Sequence, residues 1–380
     1  MAVTATDIHR TIQAVFRIEQ AKLIASLARI TRDVGLAEEL AQDALVAALE
    51  EWPRTGVPDR PGAWLTAAAK HRAIDHFRRM RLAERKHGEI GQEQQSLERD
   101  MPDFDSALDD DIGDDLLRLI FTACHPVLSP EARAALTLRL LGGLTTDEIA
   151  RAYLVAEPTI AQRIVRAKRT LSDAGVPFEV PHGDDRGERL ASVLDVIYLV
   201  FNEGYAATAG GDWIRPQLAE EALRLGRVLA GLAPLEPEVH GLVALMEIAA
   251  SRFGARTGPD GEPILLLDQN RARWDQLLIR RGLAALALAE SLGGEPGPYR
   301  LQAAIAACHA RARVAEDTDW PRIVALYGAL AELMPSPVIE LNRAVAVGMA
   351  SGPAAALELV DVLNAEPALK SYHLLPSVRG

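Results

Sequence analysis

Six polar residues in one short segment have the chemistry to read a nucleic acid: Thr159, Gln162, Arg163, Arg166, Lys168 and Arg169. Short polar side chains reach base edges, and Arg and Lys meet phosphates. Ile160, Ile164, Ala167 and Leu171 recur beside them at helical spacing and predict a buried face. The element that positions them is therefore a helix: Thr159, Gln162, Arg163 and Arg166 fall on a face away from the apolar one, and Lys168 and Arg169 add positive charge near its C-terminal end. Upstream, Thr145 and Thr146 can cap a preceding helix, with Asp147 and Glu148 in its first turn, where acids suit the helix dipole. Glu157-Pro158 restarts the chain, with Pro158 at the first helical position, where its missing N–H costs nothing. Leu144 to Leu171 thus reads as a helix-turn-helix whose second helix suits a major groove.

A second basic cluster precedes it: Lys70, Arg72, Arg78, Arg79, Arg81, Arg85 and Lys86, on a helix opened by Pro61-Gly62-Ala63-Trp64. Ala67, Ile74 and Phe77 are expected to face a core, with Arg72 and Arg79 facing out. A positive helix with aromatics nearby can hold a phosphate backbone and stack an unpaired base. Further upstream, Glu38 to Leu45 predicts an amphipathic helix. Its Leu36, Leu40 and Ala44 would be buried, and Glu39, Gln42 and Asp43 would form an acidic exposed face.

These units sit in a chain of 380 residues, long enough for two or three domains, with formal net charge −12. That balance excludes a uniformly basic DNA-coating protein but allows local basic patches. Abundant Ala and Leu with few aromatics predict an all-α fold. Neither a signal region nor a membrane-spanning run is apparent, so a cytoplasmic protein without membrane attachment is expected. Cys124 and Cys308 are read as buried free thiols of a reducing compartment. Cys124-His125 lacks a second ligand pair at metal spacing, and no phosphate loop or nucleophile elbow is present. No metal, cofactor or enzymatic role is expected. Glu203 and Asp268 could serve as general acids in principle, but buried or capping roles fit them better.

Composition divides the chain into residues 1–88, an acidic connector at 89–112, a helical unit at 113–176 and a long helical part at 177–380. The connector carries Glu98, Asp100, Asp103, Asp105, Asp109, Asp110 and Asp111, a run expected to be solvated. Two DNA-contacting units on such a tether can span two sites on one duplex. In the last part, Gly and Pro punctuate short helices, as in stacked helical hairpins. Trp320, Tyr327, Ala344 and Ala346, on either side of Pro335-Ser336-Pro337, look like a tetratricopeptide-type repeat. Asp212-Trp213 and Asp319-Trp320 read as helix starts.

Residues 5 to 175 resemble a bacterial sigma factor of the extracytoplasmic-function group. The Asp33-to-Leu45 run is similar to the domain-two segment that binds the β′ clamp helices of RNA polymerase. Trp64-Leu65 through Lys70, Asp75, Arg78 and Arg79 matches the run that melts the minus-ten element. Thr145 to Leu171 matches domain four, which reads the minus-thirty-five element and meets the β flap. Leu119 to Pro126, Phe201 to Tyr205, Asp268 to Asp275 and Ser336 to Val347 extend the likeness to a subgroup with a tetratricopeptide-like C-terminal extension. The resemblance implies polymerase contact through Glu39, Gln42 and Asp43, and promoter contact through Lys70, Arg72, Arg78, Arg79, Thr159, Gln162, Arg163, Arg166, Lys168 and Arg169. It also implies an extension that regulates activity through an unidentified protein or ligand.

The chain departs from the family pattern at His71, where Asn is usual, at Leu154 in place of the turn Gly, and at Ala156 in place of a Ser cap. Losing that cap costs about 1 kcal/mol of helix stability. The chain stops soon after His373, so the solenoid is expected to lack its last cap. The competing functional classes are a stand-alone helix-turn-helix regulator with a helical sensor, which would bind an operator without polymerase, and a helical scaffold with incidental basic patches.

Overall fold

Asp33 sets the first helical hairpin. Its carboxylate accepts from the Gly35 and Leu36 amides at 2.7 and 3.0 Å and so starts α2 (Val34–Thr55). The preceding α1 (Ala5–Thr31) buries Ile12, Phe16, Leu23, Ile24 and Leu27 against it. α3 (Pro61–His87) adds Leu65, Ala69 and Ala73, and Trp52 meets Trp64 edge-on at 5.3 Å. A computed structural model describes residues 5–87, 112–153, 155–182, 185–205, 216–258 and 262–364, with side chains at 8–80 and from 115 onward.

The regular elements among those residues are helices, with no strand, and the residues divide into two compact units. The first holds residues 1–199 and 209–211. After α3 it contains α4 (Ile112–Ala123), α5 (Pro130–Leu140), α6 (Thr146–Tyr153) and α7 (Glu157–Asp173). Ser129 caps α5 by accepting from the Ala132 amide at 3.3 Å. Between α5 and α6 the backbone turns at Gly143 with φ +67, and a side chain there would also crowd Arg17. α8 (Asp185–Tyr205) follows, and its residues up to 199 belong to this unit. Ser192 donates to the Cys124 carbonyl at 2.6 Å, and Arg189 to the Phe121 carbonyl at 3.1 Å.

The second unit holds residues 200–208 and 212–380. Its central α10 (Pro237–Ala250) is buried continuously from Val239 to Ala250, the pattern of a helix with neighbours all round. Around it stand α9 (Pro216–Leu232), α11 (Gln276–Ser291) and α12 (Pro298–Arg311). Gly282 permits the close approach of α11: a Cβ there would lie 2.6 Å from Ile248. Glu238 of α10 accepts from the Tyr299 amide at 2.8 Å and so caps α12. α13 (Trp320–Leu333), α14 (Pro337–Ser351) and α15 (Pro353–Leu363) continue the chain as consecutively packed helices. Asp319 caps α13 as expected, accepting from the Arg322 amide at 3.0 Å, while Trp320 is half-buried. Asp212-Trp213, the acidic connector and His373 lie outside the described residues.

The Asp268-to-Asp275 run proves to be a structural knot between α10 and α11. Asn270 and Asp275 cap the turns that follow them, Trp274 is buried, and Arg271 donates to the carbonyls of His309 and Ala312. Asp268 stands exposed beside them.

Candidate nucleic-acid interface

The helix-turn-helix is built by a reciprocal cap. The Thr145 amide donates to Glu148 Oε2 at 2.7 Å, and the Glu148 amide donates to Thr145 Oγ1 at 3.1 Å. Of the two threonines expected to cap α6, Thr145 does so and Thr146 is its first residue. Leu154 lies outside the described residues. Ala156 takes the cap position of α7 with extended backbone and no side-chain hydrogen bond. α7 starts at Glu157, so Pro158 is its second residue rather than its first.

α7 buries Ile160, Ile164, Ala167 and Leu171, the four residues its spacing predicts. The opposite face exposes Thr159, Gln162 and Arg166, with Arg163 half-buried at its edge. Together with Val127, Ser129 and Ala132 these residues line an open groove of about 460 Å³. Arg169 is exposed on the same face and pairs with Asp173 at 3.3 Å. Val165, 64 % exposed, stands between Gln162 and Arg169 on that face. A valine in a helix reads as core from sequence, so only the helical angle reveals it as a surface residue.

Lys168 is a correction. It is six residues past Gln162, about 240° round a helix of 3.6 residues per turn, so it cannot share that face. Its ammonium instead pairs with Glu38 of α2.

On α3 the expected faces need a second correction. The buried row is Leu65, Ala69 and Ala73, while Ala67, about 200° from Leu65, is exposed. Ile74 and Phe77 are half-buried, and so is Arg72, which was expected to face out. Between Ile74 and Met80 no residue is buried. Arg79 is exposed and donates to the Asp75 carbonyl at 3.3 Å, and Arg78 lies 3.9 Å from the Asp75 carboxylate. Lys70 is half-buried and His71 exposed. The side chains of Arg81, Arg85 and Lys86 lie outside the described residues.

On α2, Glu39 and Asp43 are exposed and Gln42 is half-buried, while Leu40 and Ala44 are buried and Leu36 half-buried. Glu38 is the residue that sequence reasoning passed over. It is 4 % exposed, and its carboxylate meets both Arg139 Nε at 2.6 Å and Lys168. A glutamate beside an acidic face reads as solvated, and nothing local announces cations 101 and 130 residues away. Asp115, 1 % exposed, plays a similar part: Arg29 Nε and Arg118 Nη1 donate to it at 2.9 and 2.6 Å. Burial pushes its carboxyl above the usual range, and the two guanidiniums pull the other way. Cys124 and Cys308 are buried free thiols, as expected, and burial pushes the Cys124 thiol up to about 11.

Comparison with known proteins matches these same segments. Residues 15–82 match the model of sigma-70 region 2, and residues 118–171 that of sigma-70 region 4. Residues 189–290 match a family of unknown function, DUF6596. An uncharacterized protein of Rhizobium meliloti strain 1021 is 44% identical over 362 residues, which cover 94% of this chain and 84% of that protein. The ECF RNA polymerase sigma factor SigL of Mycobacterium tuberculosis is 33% identical over 156 residues, 39% of this chain and 81% of SigL. No solved structure matches the chain. The described residues contain no helix long and apolar enough to cross a membrane. An acidic helix, a basic helix and a capped helix-turn-helix thus stand in order within the two matched regions, and the chain belongs to the ECF sigma factors of RNA polymerase.

Proposed function

We propose that this chain directs promoter-specific initiation by RNA polymerase, and that its residues divide the task by helix. Glu39, Gln42 and Asp43 of α2 bind the β′ clamp helices. Arg72, Arg78 and Arg79, with Lys70, hold the minus-ten region through the backbone and an unpaired base. Thr159, Gln162, Arg163 and Arg166 enter the major groove at the minus-thirty-five element, with Arg169 on a phosphate. Val165 offers an apolar group suited to a thymine methyl. Region 4 would also meet the β flap.

The observation that carries this reading is α7 itself: Ile160, Ile164, Ala167 and Leu171 are buried on one side, and Thr159, Gln162, Arg166 and Arg169 stand exposed on the other. Residues 1–88 and 113–176 form the promoter-binding domains in this proposal, with 89–112 as their connector. Residues 177–380 form a tetratricopeptide-like domain that regulates them. The pairing of α13 and α14 around Pro335-Ser336-Pro337 supports that last part: Ala344 and Ala346 are buried there, and Trp320 and Tyr327 pack against the cluster of Ile323 and Leu330.

Capture of core polymerase by the full chain tests the proposal. The chain should retain core polymerase, and the Glu39→Lys/Asp43→Lys double variant should lose it. Equal retention by the two chains would overturn the assignment of α2, and no retention by either would overturn the whole reading.

A further inference from the structure

The second unit gathers three arginines at one place. Arg252 and Arg256 follow α10, and Arg271 stands in the knot before α11. All three are half-buried. The guanidiniums of Arg252 and Arg256 lie 5.7 and 3.6 Å from the centre of the Tyr205 ring, so the two share one aromatic platform. That of Arg271 lies 4.9 Å from the centre of the Trp274 ring. His309 of α12 is within electrostatic reach: burial, and then Arg252 and Arg271, push its ring down to about 4.

Two of the three arginines are anchored inside the fold. Arg256 donates to the Tyr205 carbonyl, and Arg271 to the carbonyls of His309 and Ala312. Arg252 differs from both. Among the described residues its Nε is buried with no hydrogen-bond partner, and no ion pair holds its guanidinium. His309 Nδ1 is buried beside it in the same unpartnered state.

This arrangement costs stability. Like charges drawn partly out of water repel, and burial disfavours the charged form of each. Burial weakens the hold of Arg256 and Arg271 on their protons, and Arg252 adds to that effect at both. At Arg271 the exposed Glu316 and Asp317 pull the other way. A neutral side chain at position 252 would cover Tyr205 without the repulsion, so packing alone does not call for a cation there. An anion at the cluster would remove the repulsion and occupy the guanidinium that the fold leaves unused.

The charge of the cluster selects the kind of anion. A phosphate monoester carries about −1.5 to −2 near neutral pH and three strong acceptor oxygens. The planar fork of a guanidinium takes two such oxygens at once. A carboxylate brings a single charge against three cations. We propose that Arg252, with Arg256 and Arg271 beside it, forms a binding site for a phosphate group, free or carried on a small molecule. The site gives the regulatory reading of residues 177–380 a ligand class, and its test needs no polymerase, so it stands or falls apart from the sigma-factor reading.

Titration calorimetry of the full chain at constant ionic strength tests it, with inorganic phosphate, phenyl phosphate and acetate as probes. The wild-type chain should bind a phosphate probe and bind acetate more weakly. Tighter binding of inorganic phosphate would support the free ion as occupant, and tighter binding of phenyl phosphate would support an ester. Arg252→Met breaks no internal hydrogen bond, and without phosphate its thermal midpoint should equal or exceed that of the wild type. It should bind the phosphate probe about tenfold more weakly, the loss expected of one hydrogen bond to a charged group. Arg224→Met, in the same unit but paired with Glu221, should bind as the wild type does. Saturating phosphate should also raise the His309 ring in the wild-type chain above its value of about 4, as followed by NMR and assigned with His309→Gln. That readout decides the matter if Arg252→Met fails to fold. Equal affinity of folded Arg252→Met and wild type, an unmoved His309, or acetate binding as tightly as phosphate would overturn the site.

Discussion

Replacing Arg166 by Ala should weaken promoter binding by an amount that the structure and salt theory fix together. Arg166 is exposed on the outer face of α7 and has no ion-pair partner among the described residues. It is thus free to neutralise one phosphate. One such contact adds about 0.9 to the slope of log affinity against log salt. From 1 M down to 0.1 M salt it contributes about 0.9 of a decade, about eightfold or about 1.2 kcal/mol. Arg169 shares its charge with Asp173, an exposed i,i+4 pair worth about 0.3–0.5 kcal/mol, so its removal should cost less. Lys168→Ala should leave the slope unchanged, since its ammonium points away from this face. The assay is fluorescence anisotropy of a labelled promoter fragment, titrated with holoenzyme from 0.1 to 1 M salt. The Arg166→Ala loss should be near eightfold at 0.1 M and vanish near 1 M. An Arg166→Ala curve superimposed on wild type at 0.1 M, or a Lys168→Ala loss exceeding it, would refute the placement of the α7 face.

Three further outcomes follow from single contacts. Thr145→Ala removes half of the reciprocal cap of α6 and should lower stability by about 1 kcal/mol in denaturant unfolding, with Thr146→Ala near zero. Val165→Ala should change holoenzyme affinity for promoters altered at one base pair of the minus-thirty-five element and leave the others alone; uniform loss across all positions would show that Val165 touches no base. Burial pushes His309 down to about 4 from 6.5, with Arg252 and Arg271 adding to the shift. The unfolded chain then binds more protons between those values, so this stabilisation is full above pH 6.5 and is lost as pH falls towards 4. It amounts to at most about 3 kcal/mol, and His309→Gln should flatten the pH dependence of unfolding in that window.

The parts of the interface legible in the sequence were those governed by local rules. Ile160, Ile164, Ala167 and Leu171 obey helical spacing, and the cap of α6 follows from a threonine three residues before a glutamate. The misreadings arose where a residue could lie on either of two faces. Ala67 is exposed and Arg72 half-buried because α3 packs along the row of Leu65, Ala69 and Ala73, and only the angle of that row decides which alanine is inside. Lys168 adds charge to the C-terminal end of α7 in the sequence, but its ammonium is taken up by Glu38 of α2, a partner that no local pattern announces. Glu38 was illegible for a different reason: its meaning lies in a pairing across more than a hundred residues, which no local pattern carries. In the second unit, Asp268 to Asp275 stood out as a motif and proved to be a knot of caps and carbonyl contacts.

Run-off transcription with purified core polymerase tests the central claim most directly. The template set would carry promoters that differ in their minus-ten and minus-thirty-five elements. The full chain should yield a transcript from a defined start site on a subset of them, and none should form with core polymerase alone. A chain that leaves core polymerase as inactive on every promoter as it is alone, while binding duplex DNA unaided, would contradict the assignment.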